Sequence, residues 1–229
     1  MARIILIETS TAMCSAALAE DGKISAYRED ADRAHAARLA PMVDDILKEK
    51  GLTVKDCDAV GVCMGPGSYT GLRVGVSTAK GLCFGASIPL LATGSLDTLV
   101  WAAIDGNMVP EGCRYIVPMI DARRMEVYTA VFTPDGKQIS ATEPKIIDAE
   151  SFAKELAEGP VLFIGDGAKK CEEILAGPNA HFASVYPDAR GMLQPIMAEY
   201  NEKRFKDVAY FEPFYLKDFV ATVSRKKLF

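Results

Sequence analysis

Residues 3–10 read RIILIETS, a short apolar run that ends in three polar residues. A run of this kind predicts a buried β-strand with polar groups at its C-terminal end. Further strands are predicted over 15–20 and 24–29, and Asp21-Gly22 between them is a strong hairpin signal. The chain therefore opens on three strands, of which the second and third form a hairpin.

The same pattern returns in the second half of the chain. Residues 115–121, YIVPMID, again end in an acidic residue, 125–132 alternate, and Asp135-Gly136 is a second hairpin signal. Each half then continues with helix, strand and helix, beginning near residues 34 and 148. The two halves share an element order and hardly any residues, so the repeat is structural.

This order predicts an α/β protein of two similar lobes, each with a mixed sheet flanked by helices. The plan is that of actin, the Hsp70 chaperones and sugar kinases, in which an RNase H-like unit is duplicated. We expect an N-terminal RNase H-like lobe over 1–105 and a smaller C-terminal lobe over 106–229. A helix at about 189–204 is expected to cross back to the first lobe.

Composition narrows the classes of protein. The chain has 229 residues, a formal net charge of -5 and 49% hydrophobic residues, enough for a sizeable core. The acidic balance argues against a protein whose main task is to cover a nucleic-acid backbone. Its six cysteines form no C-x-x-C pair, and no run resembles a signal peptide or a membrane span. We expect a cytoplasmic protein.

Residues 64–75, MGPGSYTGLRVG, suggest a phosphate-binding loop at first sight. The spacing fits neither the P-loop pattern, which needs Lys followed by Ser or Thr, nor the G-x-G-x-x-G fingerprint. The alternative is structural: Gly65, Pro66 and Gly67 shape a turn, and Ser68 or Thr70 caps the next helix. We favour this alternative.

The helix after this turn is rich in glycine. Gly71 and Gly75 lie four residues apart on one helical face, and Thr78 extends a strip of small side chains. Interior glycines cost a helix about 0.5–1 kcal/mol each, so close packing of another helix is expected to offset that cost. The neighbour is either the chain's own helix 34–50 or a helix of another chain.

The sequence contains few residues that would support a metal or nucleotide site. Only His35 and His181 are present, so no local histidine pair exists for zinc or iron. Glu8 and Asp121, each at a strand end, are candidates for a magnesium ion between the lobes, with Thr9 and Ser10 as part of a vestigial nucleotide site. The simpler interpretation is that they are polar residues ending strands.

Several stretches in order resemble one known family along nearly the whole chain: ILIETST (5–11), HAARLAPMVDDIL (35–47), GVCMGPGSYTGLRVGVSTAKGL (61–82), GSLDTL (94–99), DARRMEVYTAVF (121–132) and EPFYLKD (212–218). The family is TsaB, formerly YeaZ, and GPGSYTGLR together with DAR-x-x-EVY is highly specific for it. Glu8 departs from the aspartate more usual before Thr-Ser.

The resemblance implies a two-lobed, actin-like subunit that performs no transfer itself. The family serves the formation of threonylcarbamoyladenosine in tRNA, next to the anticodon. Its catalytic paralogue TsaD holds a metal through a His-x-x-x-His helix. The aligned positions here are His35 and Leu39, so the resemblance implies neither a metal nor a catalytic residue.

The resemblance also implies the partners. The N-terminal lobe pairs with TsaD or, in the isolated protein, with a second copy, and the ATPase TsaE docks on the pair. tRNA is reached only through the complex, no membrane is involved, and the chain has no cofactor of its own, with ATP or ADP a candidate at the subunit contact. The implied interface comprises His35, Leu39, Met42, Val43, Ile46, Ser68, Tyr69, Thr70, Gly71, Arg73, Val74, Gly75 and Thr78.

The residues themselves are also compatible with two other functions. One is an ATPase or phosphotransferase of the actin-like superfamily, with magnesium near Glu8 and Asp121. The other is a peptidase. It is less favoured, because the single-histidine helix argues against the metallopeptidase form.

Overall fold

A computed structural model describes residues 2–31 and 35–217 of the chain. The side chain of His35 and the tail after Lys217 lie outside the described residues. The described part contains the following elements in order: β1 (Arg3–Glu8), β2 (Cys14–Glu20), β3 (Lys23–Asp30), α1 (His35–Glu49), β4 (Ala59–Cys63), α2 (Tyr69–Ala86), β5 (Leu90–Thr93), α3 (Ser95–Asp105), β6 (Tyr115–Asp121), β7 (Glu126–Thr129), β8 (Glu143–Ile146), α4 (Ala153–Glu158), β9 (Val161–Ile164), α5 (Ala168–Leu175), β10 (Ala180–Ala183) and α6 (Leu193–Asn201).

The two five-stranded sheets have the same topology. The strand order is β3-β2-β1-β4-β5 in the first and β8-β7-β6-β9-β10 in the second. In the first sheet β1–β2 and β2–β3 are antiparallel pairs, while β1–β4 and β4–β5 are parallel. The second sheet repeats these directions strand for strand. The predicted α/β fold of two similar lobes, with mixed sheets flanked by helices, is confirmed.

Both faces of the first sheet are covered, which explains its unbroken apolar strands. Ile5 and Ile7 of β1 point to the face packed by α1 and α2. Ile4 and Leu6 point to the other face, which is packed by α6. The helix expected at about 189–204 is therefore α6, and it lies on the first sheet.

The last helix of each repeat packs on the sheet of the other repeat. Leu96, Leu99 and Val100 of α3 form a core with Ile116 and Ile120 of the second sheet. On the opposite face of that sheet, α4 and α5 complete the second lobe. The expected lobe boundary near residue 105 coincides with the end of α3 in sequence, although α3 packs in the second lobe.

The segment after α6, residues 206–217, returns along the first lobe. Lys206 N–H donates to the Leu90 carbonyl oxygen at 2.8 Å, beside the outer edge of β5, and Phe214 N–H donates to the Met64 carbonyl oxygen at 2.8 Å. Lys80 Nζ of α2 donates to the carbonyl oxygens of Ala209 and Phe211, each at 3.0 Å. Within the described residues, no helix combines the length and apolarity required to cross a membrane.

Candidate functional site

The glycine loop, residues 65–71, connects β4 to α2 and closes over the C-terminal end of β1. Ser68 N–H donates to the Ser10 carbonyl oxygen at 2.6 Å, and Ser95 Oγ donates to the Pro66 carbonyl oxygen at 2.5 Å. Gly71 N–H donates to Ser68 Oγ at 3.2 Å, so Ser68 caps α2. The N–H groups of Ser68 and Gly71 thus donate to acceptors within the chain. This supports the interpretation of the loop as a structural turn and not as a phosphate-binding loop.

Two glycines of the loop are required by its geometry. Gly65 has a φ of +104°, in the region that side chains rarely adopt. A Cβ at Gly67 would overlap the carbonyl oxygen of Ser10. Gly65 and Gly67 thus allow the loop to turn and to approach β1 closely.

Gly71 and Gly75 have a different role from the one predicted. Both glycines are buried. A Cβ at Gly71 would overlap the carbonyl oxygen of Thr9, and a Cβ at Gly75 would overlap Oγ1 of Thr9. Thr9 Oγ1 in turn donates to the Gly71 carbonyl oxygen at 2.8 Å. These two glycines therefore make room for the end of β1 in the same chain, and not for a helix.

The polar residues at the end of β1 are enclosed. Glu8, Thr9 and Ser10 are buried, and Glu8 Oε1 accepts the N–H of Ser10 at 2.5 Å. Burial raises the pKa of Glu8, which favours its neutral form. In the described structure, Glu8 Oε2 and Ser10 Oγ have no hydrogen-bond partner. An enclosed carboxyl group whose pKa is raised by burial is a poor ligand for magnesium.

Asp121 has a different environment from Glu8. It is exposed at the end of β6 and forms an ion pair with Lys170 of α5. Among the described residues, no group of three His, Cys, Asp or Glu side chains is arranged to hold a metal ion. The predicted vestigial nucleotide site is therefore divided: Glu8, Thr9 and Ser10 are buried, whereas Asp121 is exposed.

The predicted interface residues of α1 form part of the protein's own core. Leu39, Met42, Val43 and Ile46 are all buried against the first sheet. A partner chain that approaches the folded lobe cannot reach them, so the prediction that they contact a partner is corrected. Their apolar spacing reflected the inner face of an amphipathic helix. The side chain of His35 lies outside the described residues.

Six of the predicted interface residues, all near the start of α2, reach the surface. Those with exposed or half-exposed positions are Ser68, Tyr69, Thr70, Arg73, Val74 and Thr78. The Tyr69 and Tyr215 ring centroids lie 4.9 Å apart, and the Arg73 guanidinium carbon lies 4.2 Å from the Tyr69 centroid. Arg73 Nε also donates to the Tyr215 hydroxyl oxygen at 3.3 Å. The start of α2 is therefore fixed by the chain's own C-terminal segment.

The sequence interpretation missed the second half of α2. Phe84 is 84% exposed, and a Cβ at Gly81 or Gly85 would meet no described atom within 4 Å apart from its chain neighbours and the adjacent backbone of α2. With Thr70, Arg73, Ser77 and Thr78, these three residues form the outer face of α2. Val74 is half-buried and packs against the core of the first lobe. The available signal was Gly81 and Gly85, four residues apart around an aromatic residue.

Comparison with known proteins identifies the relatives of the chain. A family model described as "TsaD: tRNA N6-adenosine threonylcarbamoyltransferase" matches residues 27–224. The TsaB protein of Escherichia coli is 31% identical, with 96% of each chain covered, and that of Haemophilus influenzae is 30% identical, with 98% of this chain and 96% of the relative covered. The chain belongs to the TsaB family.

Solved structures related to the TsaB family share the fold. YeaZ from Pseudomonas aeruginosa superposes with a TM-score of 0.78 at 28% identity, over 94% of this chain and 100% of its own. A second structure, described as an uncharacterized protein with similarity to peptidase YEAZ from Pseudomonas aeruginosa, gives a TM-score of 0.79 at 27% identity, with 95% and 100% covered. The two lobes described above thus recur together in these structures.

Proposed function

We propose that this TsaB-family chain is a non-catalytic subunit of the machinery that makes threonylcarbamoyladenosine in tRNA, and that it binds the catalytic paralogue TsaD. Its curated relatives are named as proteins of tRNA threonylcarbamoyladenosine biosynthesis. The matching family model carries the name of the transferase itself. These names support the pathway; the partner role rests on the geometry of α2.

The observation that carries the partner role is the exposed Phe84 on the outer face of α2. Complete burial of a phenylalanine side chain is worth about 1.5–3 kcal/mol, a gain that is not realised here while 84% of Phe84 is exposed. Gly81 and Gly85 beside it weaken the helix by about 1 kcal/mol each relative to alanine, and no atom of the described chain occupies the space above them. A helix of another chain would fill that space and cover Phe84.

The proposed absence of catalysis has separate support. At the position where the resemblance expects the second metal-binding histidine of TsaD, this chain has Leu39, which is buried in the core. Glu8 has no accessible surface, so neither a metal ion nor a substrate can reach its carboxyl group in the folded chain. In this proposal the chain positions TsaD, TsaE docks on the pair, and tRNA and any ATP or ADP are bound by the assembled complex. In isolation a second copy takes the place of TsaD.

The test compares Phe84→Glu with Ile146→Glu in the full-length chain. Both side chains are apolar and exposed, and Ile146 lies on β8 of the other lobe, 71% exposed. Phe84→Glu should weaken association with TsaD by at least about tenfold, because a charge must then be desolvated at the contact. Ile146→Glu should leave it unchanged. Sedimentation velocity measures association, and modification of tRNA in the reconstituted system measures function.

Two results would contradict the proposal. If Phe84→Glu binds TsaD as the wild-type chain does, the outer face of α2 is not the contact. If the chain transfers threonylcarbamoyl to tRNA when TsaD is omitted, the non-catalytic assignment is wrong. Omission of each subunit in turn separates the two outcomes.

A further inference from the structure

The turn between β6 and β7, residues 121–126, contains two adjacent exposed arginines in an unusual backbone conformation. Arg123 has a φ of 71° and Arg124 a φ of 51°, both in the left-handed region. For a residue with a Cβ atom, this backbone conformation is about 1–2 kcal/mol less stable than the right-handed one. Glycine and asparagine adopt it more readily. A strained turn that keeps two arginines suggests that their side chains have a use.

The structure gives neither guanidinium group a partner among the described residues. In the described ranges 2–31 and 35–217, the side chains of Arg123 and Arg124 form no hydrogen bond or ion pair, although Arg123 N–H donates to Asp121 Oδ1 at 2.9 Å. Both residues are exposed. The two positive charges are therefore presented to solvent. We call residues 121–126 the arginine turn.

The acidic groups of the arginine turn are already neutralised. Asp121 pairs with Lys170, and Glu126 pairs with Lys217. Lys170 Nζ also donates to the Glu126 carbonyl oxygen at 2.7 Å. A third carboxyl group, on Asp166, accepts the N–H of Asp121 at 3.0 Å, and burial raises its pKa. The turn is therefore locally positive in a chain whose formal net charge is -5.

The C-terminal segment holds the arginine turn beside the first lobe. Lys217 reaches Glu126, and Tyr215, two residues earlier, packs against Tyr69 at the start of α2. Arg73 fixes the Tyr215 hydroxyl from the next turn of α2. The positive surface thus has a defined position on the molecule, close to the start of the helix whose outer face we assign to the partner subunit.

We propose that the arginine turn binds the phosphodiester backbone of the tRNA substrate. Guanidinium groups bind phosphate oxygens through paired, charge-assisted hydrogen bonds. Both arginines stand on an exposed turn, whereas a free nucleotide is normally held in a concave pocket. An extended polyanion fits such a surface, and backbone contacts of this type orient RNA without reading its sequence. This inference rests on the proposed function, because it takes the substrate from it.

The test uses Arg123→Gln/Arg124→Gln in the assembled complex with TsaD. The control, Lys55→Gln/Lys154→Gln, removes the same charge from two exposed lysines elsewhere on the surface. Fluorescence anisotropy of labelled tRNA gives the affinity over a series of salt concentrations. The arginine variant should bind tRNA several-fold more weakly, with a salt slope smaller by about 2, one unit for each lost phosphate contact. The control should match the wild-type complex.

The outcomes separate this inference from the proposed function. Sedimentation velocity should show that the arginine variant still associates with TsaD, and thermal unfolding should show that it is folded. An unchanged affinity and salt slope in that intact complex would overturn the inference and leave the proposed function standing. A defect confined to ATP binding or to TsaE binding would also overturn it, since the anion recognised would not be RNA. Failure of the wild-type chain to bind TsaD would instead refute the proposed function.

Discussion

Glu8 is a carboxylic acid without accessible surface, and its protonation couples folding to pH. Burial raises its pKa in the folded chain above the ordinary value of 4.5. The folded state therefore binds a proton more tightly than the unfolded state. The contribution of Glu8 to stability is complete below about pH 4.5 and is lost as the pH rises through the folded-state pKa.

Glu8→Gln should remove this dependence. The amide keeps the size of the side chain and its acceptor for the N–H of Ser10, and it has no charge to desolvate. The free energy of unfolding, measured by urea denaturation from about pH 5 to pH 8, should fall less steeply with pH than in the wild-type chain. Glu111→Gln, at an exposed position, should follow the wild-type curve. Equal slopes for all three proteins would show that Glu8 is not buried as a neutral acid.

At the scale of one helix, α2 uses glycine for two different purposes. On its inner side Gly71 makes room for the Thr9 carbonyl group, whereas on its outer face Gly81 has open space above it. The same substitution to alanine should therefore have opposite effects on stability at the two positions.

Gly71→Ala should destabilise the chain by about 1–3 kcal/mol, because the new methyl group overlaps backbone that cannot move easily. Gly81→Ala should stabilise the isolated chain by about 1 kcal/mol through helix propensity. Urea denaturation of the two variants measures both effects. If Gly81→Ala were as destabilising as Gly71→Ala, the outer face would not be open, and the partner surface would have to be placed elsewhere.

The contrast shows how far sequence alone defines the candidate site. The N-cap of α2 and the turn before it follow from residues close together in the chain, such as Ser68 and Gly71. Which side of the helix each glycine faces depends on β1, some sixty residues away in sequence, as the 62-residue separation of Thr9 and Gly71 shows. Leu39 was misassigned for the same reason: an apolar helical face predicts burial, and it does not say whether the cover is the same chain or another.

At the scale of the whole molecule, the repeat was predictable and the exchange of helices was not. Hairpin signals and strand ends recur within each half, so the element order could be derived locally. Packing of α3 on the second sheet and of α6 on the first depends on contacts between distant segments, and only the position of α6 was anticipated. Because each sheet takes one covering helix from the other repeat, the stability of the two lobes is shared.

This exchange predicts that the lobes unfold together. Ile196 of α6 is fully buried on the first sheet, where Gly61 of β4 leaves room for it, so Ile196→Ala should cost about 2–5 kcal/mol. Trp101 of α3 packs near Gly136 of the second lobe, and its fluorescence therefore reports on that lobe. In Ile196→Ala the fluorescence and far-ultraviolet circular dichroism transitions in urea should shift equally and still coincide. A fluorescence transition left at the wild-type midpoint, with an earlier transition in circular dichroism, would show that the lobes unfold independently despite the exchanged helices.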